Sequence, residues 1–305
     1  MMTQNPTNRF LALAVVSCTA LLLLVAGCGY ADGGSTTTGP GGGSSDTTGS
    51  TAPPPSGADN LVFRVEVGGG FVPIELIFTS LPQISVYADG RVITQGPVLM
   101  IYPGPALPNL QVAQLSETGV QRLLNAAREA GLLEQDRDFG QPAVADGATT
   151  TFTVSAGGRT IATDVYFLEA ENENDPILSD EQKRLRRDLL NFRMKATDLR
   201  GWLEGEIGPD AAYQFESLAV LILPGDPTRS DPSGIEPNIL AWPLADLGTL
   251  GEPYQQGSRA VISGADLEAL KPLLEKANTL TLWRSDDAYY TLLLRPLLPD
   301  EVVAE

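Results

Sequence analysis

A single apolar segment near the start of the chain restricts where the rest of it can fold. Residues 10–26 form a continuous apolar run, preceded by one positive charge at Arg9. A membrane-spanning helix needs about 20 apolar residues, so this run is somewhat short for one, and it has the length expected of an export signal. We therefore expect everything after it to fold outside the cytoplasm.

The run ends in Val25-Ala26-Gly27-Cys28, and these four residues resemble the lipobox of bacterial lipoproteins. In that family a diacylglycerol is attached to the cysteine thiol, and the signal is removed just before it. The resemblance implies cleavage between Gly27 and Cys28, and acyl chains such as palmitate on Cys28. It also implies an extracytoplasmic protein whose membrane contact is the lipid on Cys28. The alternatives are an uncut membrane anchor and an ordinary signal peptide.

The segment after Cys28 is rich in Gly, Ser, Thr and Pro and cannot bury enough apolar surface to fold. As a random coil of about 32 residues it would place its ends roughly 30 Å apart on average. We therefore divide the chain into a signal (1–27), a lipidated N-terminus with a disordered tether (28–60), a first α+β lobe (61–177), a long amphipathic helix (178–205) and a second α+β lobe (206–305).

Composition excludes several classes of function. The 20 Lys and Arg include Arg9 of the signal, so residues 28–305 carry 19 against 38 Asp and Glu, a net charge of −19. Such a surface repels nucleic acid, and we expect no nucleic-acid partner. The chain has no histidine, which excludes Ser-His-Asp and Cys-His catalysis and His-ligated zinc. With Cys18 in the signal and Cys28 lipidated, no free thiol or disulfide remains.

Alternating apolar residues and turn signals predict a fold of the α+β class, which is mostly antiparallel β-sheet with helices packed on one face. Asp89-Gly90 indicates a tight hairpin in which both residues need a positive φ. Two further hairpins are expected at Gly157-Gly158 and at residues 285–287. Strands are predicted, among other places, at 61–67, 71–79, 98–102, 110–115, 214–223 and 259–262.

Two passages of the sequence share one plan. In the first, Ser116 caps a helix of about 14 residues that ends at Gly131, and a hairpin follows. In the second, Ser263 begins a similar helix that ends at Asn278 before another hairpin. Pro272 is expected to kink this second helix near Glu268. The parallel predicts two related strand–helix–hairpin lobes or one continuous double unit.

A capping box, Ser179 with Gln182, opens the longest predicted helix, residues 180–203. This helix carries seven of the 19 cations of residues 28–305, and we single out Arg184, Arg187 and Arg193 as a candidate interaction face. Such a face would bind an acidic partner, the protein's own acidic loops or lipid head groups, or it is a solvated face with interspersed ion pairs. The apolar seam of the helix, expected to face the core, is Leu185, Leu189, Phe192, Ala196, Leu199 and Leu203.

Other polar and aromatic groups have both a functional and a structural interpretation. The first acidic loop, which lacks EF-hand spacing, would hold Ca²⁺ or is an ordinary solvated loop. The second would bind Ca²⁺ or a substrate, or it forms ordinary turns. The aromatic residues of the C-terminal half would line an apolar pocket or pack in the core. The acidic residues concerned are Glu169, Glu171, Glu173, Asp175, Asp226, Asp231 and Glu236, and the aromatic ones are Trp202, Trp242, Trp283, Tyr289 and Tyr290.

The stretch FVPIELIFTSLPQISVYADGRVITQGP, together with LSETGVQRLLNAAREAGLL, resembles secreted lipoproteins of high-GC Gram-positive bacteria, a group without an assigned function. The resemblance covers roughly residues 61–135. It implies a location in the cell envelope and assigns no site residues.

Taken together, these patterns favour a membrane-anchored lipoprotein of the cell envelope whose folded part is a non-enzymatic module that binds a partner or ligand outside the membrane, with an envelope protein or a small apolar ligand as the candidates. One alternative is a carrier that holds a small apolar ligand between its helices and its sheet. Another is a hydrolase that uses two carboxylates about 5–9 Å apart. We predict no catalytic residues, no cofactor and no metal site.

Overall fold

Two β-sheets and five α-helices make up the described part of the chain, residues 57, 59–134, 137–229 and 231–301 of a computed structural model. The predicted α+β class is confirmed, because every strand pair but one is antiparallel. The predicted signal with Gly27 and Cys28, and all but three residues of the predicted tether, lie outside the described residues.

The first sheet has seven strands. In chain order they are β1 (Leu61–Gly68), β2 (Ile84–Tyr87), β3 (Arg91–Gln95), β4 (Leu110–Gln114), β5 (Thr149–Ala156), β6 (Arg159–Tyr166) and β7 (Ala211–Ala212). Their spatial order is β6-β5-β1-β2-β3-β4-β7, so β1 is an inner strand between β5 and β2 although it follows the predicted tether directly.

The second sheet has six strands. They are β8 (Ser217–Pro224), β9 (Ile239–Ala241), β10 (Glu252–Tyr254), β11 (Gly257–Ser263), β12 (Leu282–Ser285) and β13 (Ala288–Pro296). Their spatial order is β10-β11-β8-β13-β12-β9, and only β9 and β12 pair in parallel. Between and beside the strands run α1 (Ile74–Thr79), α2 (Glu117–Glu129), α3 (Asp180–Thr197), α4 (Leu199–Trp202) and α5 (Gly264–Leu274).

Helices α2 and α3 cover one face of the first sheet. The Ser116 hydroxyl accepts a hydrogen bond from the Gly119 N–H at 3.0 Å and so begins α2 as predicted, and Gly131, with φ of 85°, follows its end. Every residue of the predicted seam of the long helix is buried. On this face Phe192 packs edge-on against Phe63 of β1, with ring centroids 5.5 Å apart.

The C-terminal segment covers the opposite face of the first sheet and joins the two sheets. Leu298 is buried there with Tyr87 and Ile93. The neighbouring Leu297 packs instead on the second sheet, against Ala219 and Leu221. The last described residues therefore bridge the two predicted lobes, and the short strand β7 adds a further crossing because it follows the long helix but pairs with β4.

Four local predictions differ from the structure. Residues 71–79 contain α1 instead of a strand, and residues 98–102 form an exposed loop. Pro97 and Pro103 flank that loop, and proline donates no N–H to a ladder. The long helix breaks at Asp198, whose non-helical backbone and side chain cap α4 through the Gly201 N–H. At the first hairpin only Gly90 has a positive φ.

The second strand–helix–hairpin passage copies the first only in part. Ser263 makes no side-chain cap, α5 ends at Leu274, and Asn278 does not have the positive φ of Gly131. Both helices bury an apolar face, formed by Val120, Leu123 and Ala127 of α2 and by Leu267, Leu270 and Leu274 of α5. The two hairpins, however, join their sheets in opposite order. In the hairpin of β5 and β6 the first strand, β5, pairs with the rest of its sheet through β1. In the hairpin of β12 and β13 it is the second strand, β13, that pairs with β8.

Candidate interaction surface

Two loops leave the same end of the first sheet. The β1–β2 loop and the β3–β4 loop share this end because neighbouring antiparallel strands alternate in direction. Their bases are in contact, since the Gln95 side-chain amide donates a hydrogen bond of 3.4 Å to the Leu81 carbonyl oxygen. Leu61, which follows the predicted tether in sequence, lies at the other end of β1.

The tips of both loops expose large apolar side chains. Phe71 is 95% exposed and Met100 is 98% exposed, values at which a side chain contacts almost nothing of its own protein. Scattered apolar residues on a surface are ordinary, whereas many of them on two neighbouring loops are typical of a binding surface. We call this group the apolar end, and its nine residues are Phe71, Val72, Leu76, Ile77, Val98, Leu99, Met100, Ile101 and Tyr102.

The apolar end is almost free of charge. Residues 69–83 contain a single charged side chain, Glu75, and residues 96–109 contain none. The whole chain, by contrast, has 19% charged residues and a net charge of −18. Removing water from these two loops therefore costs less desolvation free energy than removing it from the charged parts of the surface.

The first loop is fixed to the second sheet below its exposed tip. Phe78 of α1 is only 8% exposed and packs against Ala219 and Leu221. Two residues further on, just after α1 ends, the Arg295 guanidinium donates a hydrogen bond of 2.9 Å to the Ser80 carbonyl oxygen. The exposed residues of this loop are therefore connected to a part of the same loop that is packed against the second sheet.

The second loop is fixed to the second sheet by polar contacts. The Tyr102 hydroxyl donates a hydrogen bond of 2.6 Å to Asp231, and the Thr279 N–H donates one of 2.9 Å to the Gly104 carbonyl oxygen. Hydrogen bonds from Ser233 and then from Tyr102 lower the pKa of Asp231, and the hydrogen bond to this carboxylate raises the pKa of Tyr102. Both loops are therefore held in place while their tips remain in water.

A cleft of about 300 Å³ lies beside the second loop and shares Asp231 and Thr279 with the contacts just described. Its lining mixes proline and leucine with two carboxylates and one guanidinium, a composition that suits small polar groups at the rim of a larger contact. The residues around it are Pro224, Asp226, Arg229, Asp231, Pro232, Pro237, Thr279, Leu280, Leu282 and Thr291.

The predicted basic face is paired with the protein's own acids. Arg184 lies 2.6 Å from Glu181 and 3.1 Å from Asp188. Its hydrogen bond lowers the pKa of Glu181. Arg187 and Arg193 instead both face the acidic turn, residues 169–175, which precedes the helix. The structure thus brings two of the three predicted residues to the same acidic segment. Their distances are 3.6 Å from Arg187 to Glu173 and 3.8 Å from Arg193 to Glu169.

The acidic loops use their carboxylates to form their own turns. Asp175 accepts hydrogen bonds from three backbone N–H groups, and Asp226 accepts them from the hydroxyl and N–H of Thr228. Among the described residues no group of three or more Asp, Glu, His or Cys is placed to hold a metal ion.

Of the predicted aromatic residues, Trp242 and Trp283 pack edge-on within the core of the second sheet, with ring centroids 5.5 Å apart.

The apolar end was missed at the level of sequence because both segments were assigned to strands. One signal was available: the apolar residues of 98–102 are consecutive instead of alternating, and no charged residue interrupts them. A half-buried strand alternates, so five consecutive apolar residues between prolines indicate either a fully buried strand or an exposed binding loop.

In the described ranges, no helix is both long and apolar enough to cross a membrane. No protein-family model, curated protein or solved structure matches this chain.

Proposed function

We propose that this chain is a membrane-anchored lipoprotein of the cell envelope, acylated at Cys28, whose folded part is a non-enzymatic binding module. One observation carries the binding role: nine apolar side chains stand exposed on two loops that are fixed at their bases. Burying one large apolar side chain contributes roughly 1.5–3 kcal/mol, so a few of these residues suffice for a specific contact.

Two observations favour the binding module over the alternatives. The space between the helices and the first sheet, where a carried ligand would lie, is occupied by Phe63, Phe152 and Phe192. The carboxylates of Asp175, Glu181, Asp226 and Asp231 have lowered pKa values, whereas a general acid requires a raised one.

The anchor is tested by comparing the chain's two cysteines. Cells that express the full-length chain would be fed an acyl-chain probe, and the labelled protein would be separated into membrane and soluble fractions. We expect label and membrane recovery for the wild type and for C18A, because Cys18 lies within the predicted signal. C28A should lose the label. Equal labelling of C18A and C28A would disprove acylation at Cys28.

The binding role is tested by site-specific photocrosslinking in intact cells. A photoreactive residue at position 100 should form a crosslinked product, because Met100 is the most exposed residue of the apolar end. The matched control is Arg159, an exposed residue at the start of β6, at the opposite end of the first sheet. Crosslinking that is no stronger at 100 than at 159, to protein or to lipid, would rule out the apolar end as a binding surface.

A further inference from the structure

We infer that the partner of the apolar end is the lipid bilayer to which the predicted anchor attaches this chain, and that the loop tips insert into its outer surface. This inference rests on the proposed function and names the partner of the same surface. The most exposed residue of each loop, Phe71 on one and Met100 on the other, would enter deepest.

The chemistry of the loops fits the boundary between lipid head groups and acyl chains. Apolar side chains on an otherwise polar body bury about 5–10 Å into this boundary. Loop backbones cannot enter the hydrocarbon itself, because their N–H and C=O groups would lose hydrogen bonds. Side chains that project beyond an anchored backbone, as Leu99 and Met100 do, meet both conditions. Tyr102, with a ring half in water and a hydrogen-bonded hydroxyl, suits the head-group level.

The length of the chain before β1 fits the same arrangement. The eight residues of β1 separate Leu61 from the loop end of the sheet by about 25 Å. A random coil of about 32 residues spans roughly 30 Å on average. Effective concentration is highest when the root-mean-square length of a linker matches the distance it must span. A lipid on Cys28 would therefore hold the far end of the sheet, with its apolar tips, near the bilayer.

Charge distinguishes this contact from electrostatic binding to lipids. Residues 28–305 have a net charge of −19, so the body of the protein is repelled by anionic head groups. Insertion would then depend on apolar contact alone. We expect it to be stronger on phosphatidylcholine than on vesicles rich in phosphatidylserine, and we expect added salt to reduce the difference because it screens the repulsion.

The test uses the full-length lipoprotein, purified from membranes and reconstituted into phosphatidylcholine vesicles. A cysteine introduced at position 100 (M100C) would carry an environment-sensitive fluorophore, and R159C would serve as the matched control. The unsubstituted chain is labelled in parallel: if its Cys28 is acylated it takes up no fluorophore, so failure of the anchor is detected separately.

We expect a blue-shifted emission from M100C and at least a twofold loss of its fluorescence when the vesicles carry nitroxide-labelled lipids. R159C should show neither effect. Deleting residues 30–56 leaves five tether residues, which reach at most about 17 Å when fully extended and so fall short of the distance of about 25 Å along β1. This deletion should abolish the quenching, whereas a Gly/Ser replacement of equal length should retain it.

A probe at position 100 that stays in an aqueous environment on vesicles overturns the inference. If the crosslinker at position 100 then captures another protein or a second copy of this chain in cells, the binding module stands and its partner is not the bilayer. If it captures nothing, the binding role fails as well.

Discussion

Arg186 and Asn172 are joined by two buried hydrogen bonds, because Nε and Nη2 of Arg186 both donate to Oδ1 of Asn172, at 3.0 and 2.8 Å. The same guanidinium donates to the carbonyl oxygens of Phe139 and Gly140 at 3.0 and 3.3 Å, and to that of Phe167 at 2.6 Å. Burial lowers the pKa of Arg186. One side chain of α3 therefore ties together the end of β6, the acidic turn and the segment before β5.

Replacing Arg186 should unfold the protein far more readily than replacing its neighbour. R186Q removes most of the donors that reach these oxygens from the interior, and we expect it to lower the free energy of unfolding by at least about 3 kcal/mol. The matched control is R187Q, because Arg187 is half exposed and its ion pair with Glu173 spans 3.6 Å. Exposed pairs of this kind contribute about 0–1 kcal/mol. Urea denaturation measures both, and equal losses would contradict the role given to Arg186.

The ion pair of Arg64 and Asp300 fastens the C-terminal segment to the first sheet. Nη2 of Arg64 lies 2.7 Å from Asp300 Oδ1, and the Tyr87 hydroxyl donates to the same oxygen at 2.7 Å. Burial acts to lower the pKa of Arg64, but the charge and hydrogen bond of Asp300 more than offset this effect and the pKa is raised. Burial and the hydrogen bond to Asp300 also raise the pKa of Tyr87.

Removing only the charge of Asp300 should be costly. D300N keeps the shape of the side chain but leaves the Arg64 guanidinium without its counter-ion, and we expect a loss of about 2–4 kcal/mol. The control is E268Q, which breaks the exposed pair of Glu268 with Lys271 and should cost less than about 0.5 kcal/mol. Urea midpoints for the two variants that differ by less than the error of the measurement would show that the pair does not stabilise the fold.

Tyr213 should make the fold sensitive to alkali. Its hydroxyl donates a hydrogen bond of 3.1 Å to the Leu297 carbonyl oxygen, and burial raises its pKa from 10.0 to about 12. The unfolded chain releases this proton near pH 10, whereas the folded chain holds it to about pH 12. The stability that it contributes is therefore complete below about pH 10 and is lost as the pH rises through the folded pKa.

The measurement for Tyr213 is urea unfolding of the wild type and Y213F at about pH 8 and about pH 11. At the lower pH, Y213F should lose about 1 kcal/mol for the missing hydrogen bond. Between the two pH values, Y213F should lose less stability than the wild type, because one proton no longer distinguishes the two states. An identical pH dependence would show that Tyr213 ionises equally in the folded and unfolded chain.

The parts of the fold that the sequence predicted well depend on local chemistry. The Ser116 cap and Gly131 bound α2 through contacts within a few residues. The apolar seam of the long helix was read correctly because a spacing of three and four residues must share one face. Even so, the sequence analysis placed Asp198 inside the helix, although aspartate is a favoured N-cap. In the structure its side chain accepts a hydrogen bond from the Gly201 N–H.

The errors arose where the outcome depends on distant parts of the chain. Residues 71–79 and 98–102 have apolar, strand-forming side chains, but a strand forms only where a neighbour offers a free edge. Both edges of β2 and of β3 are already paired within the first sheet. Arg186 and Arg187 illustrate the same limit, because charge alone cannot tell which of two adjacent arginines donates to four backbone carbonyl oxygens and one side-chain amide oxygen.

Phe71 and Phe78 distinguish the proposed binding surface from the buried contacts that hold its loop in place. Phe71 is 95% exposed and Phe78 is 8% exposed, although both belong to the same loop. F78A removes a ring that packs on Ala219, Leu221 and Leu297, and we expect a loss of about 3–5 kcal/mol in the free energy of unfolding. F71A removes a ring that contacts only water and should change this free energy by less than about 0.5 kcal/mol.

The binding measurement should rank the same two variants in the opposite way. With the fluorophore at position 100 on phosphatidylcholine vesicles, F71A should weaken the quenching by lipid nitroxides at a temperature where both variants are folded, because one of the deepest side chains is gone. F78A, measured below its unfolding transition, should retain more of the quenching than F71A. If F71A is instead as destabilised as F78A, then Phe71 packs against its own chain. In that case the most exposed aromatic residue of the apolar end is not free to contact a partner.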